Sequence, residues 1–286
     1  MRPNRTPPAP APPDAVSPVW APLARRAARR SLASGEVATI ETIATEVPVA
    51  LVYNDISHVV MMATPQDLAD FALGFSLSEG ILRRPGELAN VEVVEAGNGI
   101  ELRLTVDRRR FGLLDSRRRN LAGRTGCGLC GVDSLEAALR ALPQLAPSAA
   151  PSLDAIRAAL AALPAAQRIN SETHSVHAAA WADMAGDIRL VREDVGRHNA
   201  LDKLIGAMAL AEVDFTRGFA VITSRGSMEM VQKAVTMGMP TLVAISAPTT
   251  LALKLAEESR LRLVALARAD SLTIYNDGEE PGKAKP

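Results

Sequence analysis

The chain has 286 residues, 48% of them hydrophobic and 22% charged, with 32 basic side chains against 32 acidic ones. Its length suits about two domains, each with its own core. The balanced charge gives no case for wholesale nucleic-acid binding, and 3% aromatic residues argues against a base-stacking platform. No stretch approaches the ~20 uninterrupted apolar residues of a membrane span. Two cysteines are too few for a disulfide framework, which fits a reducing cytosol.

Met1 to about Pro22 is rich in Pro and Ala and lacks the compact apolar core of a signal peptide. A disordered tail is expected over residues 1–30, with structured patterning from about Gly35. Glu46–Tyr53 and Ser57–Met62 read as strands around an Asn54-Asp55 turn. Thr64-Pro65 reads as the opening of a helix, with Pro at its first position, running through Asp67–Glu79 to a stop at Gly80. His58, within a strand, reads as structural. Val91–Val94 and Ile100–Thr105 give two more strands about a Gly-Asn-Gly turn. Together these form a small α+β unit over 31–120.

Arg108–Arg110 and Arg117–Arg119 then lead into Leu121–Gly131, which holds both cysteines, Cys127 and Cys130. The arginines read either as a solvated basic face or as a local anion funnel suited to a phosphorylated ligand. Gly123, Gly126, Gly128 and Gly131 let the backbone turn sharply and admit a large partner close to the sulfurs. Asp133-Ser-Leu-Glu136 resembles a capping box, which places the thiols just upstream of a helix N-terminus, with Arg124 nearby in sequence. Both features favour thiolate. Several readings stay open: half of a zinc site completed by His174 and His177, a thioredoxin-like redox pair, a mobile cysteine carrying a sulfur or acyl group, or two small core residues. The chemistry favours a reactive thiol without naming the group it carries.

Leu142–Pro151 reads as a linker, and Ser152 as the cap of an Ala-rich helix. From Ser171 the pattern is α/β: a hairpin of Ser175–Trp181 and Ile188–Arg192, a helix over Ala200–Leu210, strand Phe219–Thr223, helix Met228–Met237, strand Thr241–Ser246, a helix starting at Ala247–Thr250 and strand Leu261–Leu266. Alternating strands and helices imply parallel pairs with right-handed crossovers. The junctions Ser224–Ser227 and Ser246–Thr249 place hydroxyls and backbone amides at helix starts, either to bind phosphate or as ordinary caps. No Walker lysine loop is present. Glu193, Asp194, Arg197, His198, Asn199, Asp202 and Lys203 form the densest polar group, read as a functional cluster or as buried ion pairs that fix a turn. A deaminase-type zinc site fits poorly, because the cysteines come first and there is no H-x-E.

From about Glu46 to Tyr275 these pieces resemble the FdhD family of sulfurtransferases, which formate dehydrogenases need to become active. The resemblance is carried by Glu46-Val-Pro-Val with Asn54, by Thr64-Pro65 through Gly74-Phe75 and Ser78-Glu79-Gly80, and by Gly126–Gly131. It continues through the long block Arg192–Lys203, Ser224-Arg225 with Ser227 and Glu229, and Ser246–Thr249.

The resemblance implies an α/β fold. A cytidine-deaminase-like catalytic domain without zinc ligands would span 121–278, beside the smaller α+β N-terminal domain. It implies a cytoplasmic homodimer with no resident metal, touching neither nucleic acid nor membrane. Cys127 would take sulfur from a cysteine desulfurase as a persulfide, with Cys130 as its partner. The acceptor would be the molybdenum (or tungsten) bis(guanine dinucleotide) cofactor, bound as substrate before it enters formate dehydrogenase. Leu266, Ala267, Arg268, Ala269, Asp270 and Ser271 match the family's cofactor-binding segment. Ser224, Arg225, His177, Arg197 and His198 are the further candidate contacts to that ligand. The competing reading is a non-catalytic chaperone that only holds the cofactor.

Overall fold

The computed structural model describes residues 20–107, 110–111 and 141–278. Leu23–Leu32 (β1) and Gly35–Ala44 (β2) pair antiparallel over their whole length, from Leu23 opposite Ala44 to Leu32 opposite Gly35. A loose tail is expected as far as residue 30, so the strand at Leu23–Leu32 is a correction. The ribbon is exposed on both faces, and without a buried side it shows no apolar alternation.

Val47–Tyr53 (β3) and Ile56–Ala63 (β4) form the expected hairpin. Asn54 and Asp55 both take positive φ, as a two-residue turn between right-twisted strands requires. The Asn54 side chain also donates to the Val106 carbonyl and accepts from its amide, both at 3.0 Å. Leu88–Ala96 (β5) and Gly99–Val106 (β6) complete a four-stranded sheet in the order β4-β3-β6-β5, with β6 parallel to β3.

One face of this sheet carries Leu68–Ser78 (α1), which buries Leu68, Phe71, Leu73, Phe75 and Leu77. The helix starts after Asp67, three residues later than Pro65 suggests. Thr64 is held elsewhere: its amide donates to Asp194 at 3.0 Å, its hydroxyl accepts from the Val195 amide, and its carbonyl accepts from Lys203 at 2.8 Å. Tertiary bonding overrides the local start signal.

The C-terminal layer opens with Leu153–Ala166 (α2), whose cap Ser152 accepts from the Ala155 amide at 3.1 Å as expected. The short Arg168–Thr173 (α3) follows. A six-stranded sheet is built from His177–Asp183 (β7), Ile188–Asp194 (β8), Gly218–Ile222 (β9), Thr241–Ala244 (β10), Arg262–Ala265 (β11) and Thr273–Asn276 (β12), in the order β12-β11-β10-β9-β7-β8. β9, β10 and β11 run parallel, while β7, β8 and β12 form the antiparallel pairs. The connecting helices are Arg197–Leu210 (α4), Met228–Thr236 (α5) and Thr250–Ser259 (α6).

Strand side chains alternate between two cores. Phe219, Val221, Val243 and Val264 face α2, whereas Ala220, Ile222, Leu242 and Leu263 face the helices that also meet α1. α4 lies at the centre and is buried on nearly every side. It crosses α1 at Gly74 and Gly206, where the backbones touch with no room for a side chain.

Candidate functional site

Cys127 and Cys130, their flanking glycines, the capping sequence at Asp133 and all the neighbouring arginines except Arg110 lie outside the described residues. Arg110 pairs with Glu87 at 2.7 Å in a half-buried contact that holds the Glu87 carboxyl below its usual range.

The remaining candidates gather at one edge of the six-stranded sheet, for a topological reason. β9, β10 and β11 end there, and β8 ends and β7 begins there, because His177 lies opposite Asp194. The loops are stitched in sequence: Gly226 donates to Ala247, Thr249 to Gly226, Leu266 to Ser246 and Ala267 to Ala244. Ligands of open α/β sheets collect beyond such carboxyl ends. Three helices, α4, α5 and α6, also start at this edge, presenting amides and the positive ends of their dipoles.

The two hydroxyl-bearing junctions differ. Thr249 is an ordinary cap, accepting from the Ala252 amide at 3.3 Å. Gly196 and Ser227, which precede α4 and α5, make no side-chain cap bond. Ser224 is buried and donates to the Arg225 carbonyl, while Arg225 is exposed.

The dense polar group resolves into two parts. Glu193 accepts from the Ile169 and Asn170 amides and so caps α3. Asp194 and Lys203 form a fully buried pair at 2.7 Å, and Asn199 bridges Asp194 to the Met62 carbonyl. Asp202 meets Lys233 at 2.8 Å and Ser78 at 2.6 Å, with Glu79 on the same ammonium at 2.9 Å. Burial alone would lower the Lys233 pKa, but Asp202 and Glu79 hold it above the ordinary lysine value. Asp194, Asn199, Asp202 and Lys203 thus join α4 to its neighbours, while Glu193 ties β8 to α3.

Arg197 and His198 are left facing the edge. Arg197 Nε and His198 Nε2 are buried without a hydrogen-bond partner among the described residues. His198 Nε2 lies 4.0 Å from Glu229 Oε1. Burial, then the Arg197 and Lys233 charges, push the His198 pKa down to about 4. His177 is lowered by burial and then by Arg197, and its Nδ1 lies 3.4 Å from the Thr223 hydroxyl. Both imidazoles are therefore neutral at pH 7, and the cation beside them is Arg197. Lys233 and Thr223 were not singled out in the sequence. Lys233 carried no motif signal, and Thr223 read as the last residue of a strand.

In the 266–271 segment, Leu266, Arg268, Ala269, Asp270 and Ser271 are exposed, whereas Ala267 turns inward against the α2-side core. Among the described residues, no group of three His, Cys, Asp or Glu side chains could hold a metal ion, and no helix is long and apolar enough to cross a membrane.

Comparison with known proteins places this architecture. The structure resembles a crystal structure from Desulfotalea psychrophila, assigned as a formate dehydrogenase accessory protein. The TM-score is 0.70 at 23% identity, covering 89% of this chain and 96% of that one. That likeness shows an α/β fold with a β-rich N-terminal region and a mixed C-terminal region. The chain is 52% identical over 243 residues to sulfur carrier protein FdhD of Xanthomonas euvesicatoria, covering 85% of this chain and 86% of the relative. It is 53% identical over 233 residues to the protein of that name from Variovorax paradoxus, covering 82% and 84%. The FdhD/NarQ family model matches residues 44–281, so this chain belongs to the FdhD/NarQ family.

Proposed function

We propose that this protein is a cytoplasmic sulfurtransferase that carries sulfur on Cys127 as a persulfide and delivers it to a molybdenum bis(guanine dinucleotide) cofactor, bound as substrate. The likeness to the sulfur carrier relatives carries this reading, and the C-x-x-C pair supplies chemistry to match. The Cys127 thiolate attacks the outer sulfur of a persulfide on a cysteine desulfurase, and the desulfurase thiolate leaves. On delivery, the Cys130 thiolate attacks the inner sulfur of the Cys127 persulfide. A Cys127–Cys130 disulfide forms, and the outer sulfur departs with the bonding pair as sulfide, toward the metal. A cellular dithiol then reduces the disulfide. Each step conserves atoms and electrons.

The sheet edge supports the second half of the reading. A ligand with two pyrophosphates and two guanines needs cationic and amide donors, and this edge offers Arg197, Arg225, Arg268 and the start of α4, which has no side-chain cap. His177 and His198, being neutral, would add hydrogen bonds without charge. The hairpin β7–β8 beside parallel β9–β11 supports the deaminase-like reading of the catalytic layer. Formate dehydrogenase is the client and a homodimer the expected assembly.

Incubation with a cysteine desulfurase and cysteine, followed by peptide mass spectrometry, tests the proposal. One added sulfur on the Cys127 peptide is expected. Full maturation of formate dehydrogenase without any adduct would favour the cofactor-holding chaperone instead.

A further inference from the structure

No residue of β1 or β2 is buried, and a two-stranded ribbon without a core is marginal in water by itself. The ribbon also precedes residues 44–281, which match the family model, so the family match leaves its role open. Its register sorts its side chains. Directly opposed residues share a face, so Arg25, Ala27 and Arg29 of β1 lie with Thr42, Ile40 and Ala38 of β2. Ile40 is 62% exposed, more than any other large apolar residue among those described. It stands opposite Ala27, with an arginine two positions to either side.

The ribbon carries Arg25, Arg26, Arg29 and Arg30 against Glu36 and Glu41, in a chain of zero net charge. Arg29 meets Glu36 at 3.5 Å and Arg30 meets Glu41 at 2.6 Å, while Arg25 and Arg26 have no acidic partner among the described residues. An apolar centre framed by arginines has the composition of a protein-binding hot spot, and the excess positive charge selects an acidic partner. A second copy fits the free edge of β1 badly. Antiparallel pairing about the middle of the strand sets Arg25 opposite Arg30 and Arg26 opposite Arg29, and like charges directly opposite destabilise.

Placement points to the partner. β2 packs beside α3, which Glu193 caps from the end of β8 and which leads to the start of β7. The ribbon is therefore rooted beside the edge where β9, β10 and β11 end, and it spans roughly 33 Å at about 3.3 Å per residue. A protein bound along it stands at the edge from which a finished cofactor must be handed over. We propose that the β1–β2 ribbon is the docking arm for the apoprotein that receives the cofactor, gripping an acidic face with an apolar recess for Ile40. This rests on the reading that the edge holds the cofactor and that formate dehydrogenase is the client.

Biolayer interferometry with the full chain immobilised tests it, using cofactor-free formate dehydrogenase and, separately, the cysteine desulfurase as analytes. Wild-type affinity for the client should fall about 10-fold between roughly 50 and 300 mM salt. Arg25→Glu/Arg29→Glu and Ile40→Ser should each weaken client binding about 10-fold, with desulfurase binding and Cys127 persulfide formation within about twofold of wild type. Salt-independent client binding overturns the proposal without need of a variant. So does equal client affinity in all three proteins, a loss confined to the desulfurase, or a loss of self-association in sedimentation, which would make the ribbon an interface between copies. Wild type that forms the persulfide yet does not bind the client sinks the docking arm and leaves sulfur carriage standing; ribbon-dependent client binding without persulfide does the reverse.

Discussion

Glycine-to-alanine changes within helices normally stabilise by up to about 1 kcal/mol, because alanine is the better helix former. Gly74→Ala should do the reverse. A Cβ built at Gly74 overlaps the Asp202 carbonyl oxygen and lies 2.7 Å from the Gly206 amide nitrogen, where ordinary contact is 3.4–4 Å. The obstacle is backbone, so no side chain can swing away, and α1 and α4 must separate. That separation also stretches the 2.6 Å Ser78–Asp202 bond, which sits in the ion-pair network under α5. Overpacking costs about 1–3 kcal/mol, and strain on the buried network adds to it, giving roughly 3–5 kcal/mol. At about 2–4 °C per kcal/mol for a chain of this size, Tm should fall by roughly 6–20 °C. Gly206→Ala meets the Asp70 backbone in the same way and should behave alike. The double variant should cost less than the sum, because the helices need part only once. Gly86→Ala, with nothing within 4 Å and no positive φ, serves as the control and should stay within about 0.5 kcal/mol. Differential scanning calorimetry reads all four. A Gly74→Ala protein melting at or above wild type would refute the close crossing of α1 on α4.

Lys203→Met strands the Asp194 carboxylate in a site with no exposure and should cost about 3–5 kcal/mol in urea titration, while Asp194→Leu/Lys203→Met should recover much of that loss. Ser152→Ala removes the cap of α2 and should cost about 1 kcal/mol by the same assay. His198 titrates near 4 when folded and near 6.5 when unfolded, so its contribution is complete above pH 6.5. It is lost progressively as pH falls toward about 4, because the unfolded chain then binds the extra proton. The pH dependence of unfolding free energy between 4 and 8 should accordingly be shallower in His198→Asn; identical slopes would contradict the buried neutral imidazole. Arg197→Gln should weaken pyrophosphate binding about 10-fold with little change in Tm, read by calorimetry, since Arg197 Nε has no hydrogen-bond partner among the described residues.

Much of this was legible in the sequence wherever local chemistry decides the conformation. Asn54-Asp55 specifies a two-residue turn, Ser152 a cap and Gly80 a helix end, and the alternation in β9 to β11 follows from strands buried on both faces. The β1–β2 ribbon was missed because a strand solvated on both sides has no apolar period to detect. α1 begins late because Thr64 is bonded to residues about 130 positions away, which no window around Pro65 can reveal. The polar block at 193–203 was visible, but composition could not divide it. Only the packing shows that Asp194, Asn199, Asp202 and Lys203 are buried while Arg197 and His198 stand at the edge where β9, β10 and β11 end, with unpartnered ring and guanidinium nitrogens among the described residues. The positive φ of Leu266 was hidden for the same reason, since it accompanies amide bonds from Leu266 to Ser246 and from Ala267 to Ala244. The cysteine pair was the reverse case, explicit in the sequence and lying outside the described residues.

The most direct test of the sulfur-carrier account is complementation of a strain lacking the native gene by Cys127→Ala, with formate dehydrogenase activity as the readout and immunoblotting to confirm equal protein levels. The account predicts that activity is abolished while the purified variant still binds GDP. Wild-type activity from Cys127→Ala would contradict it.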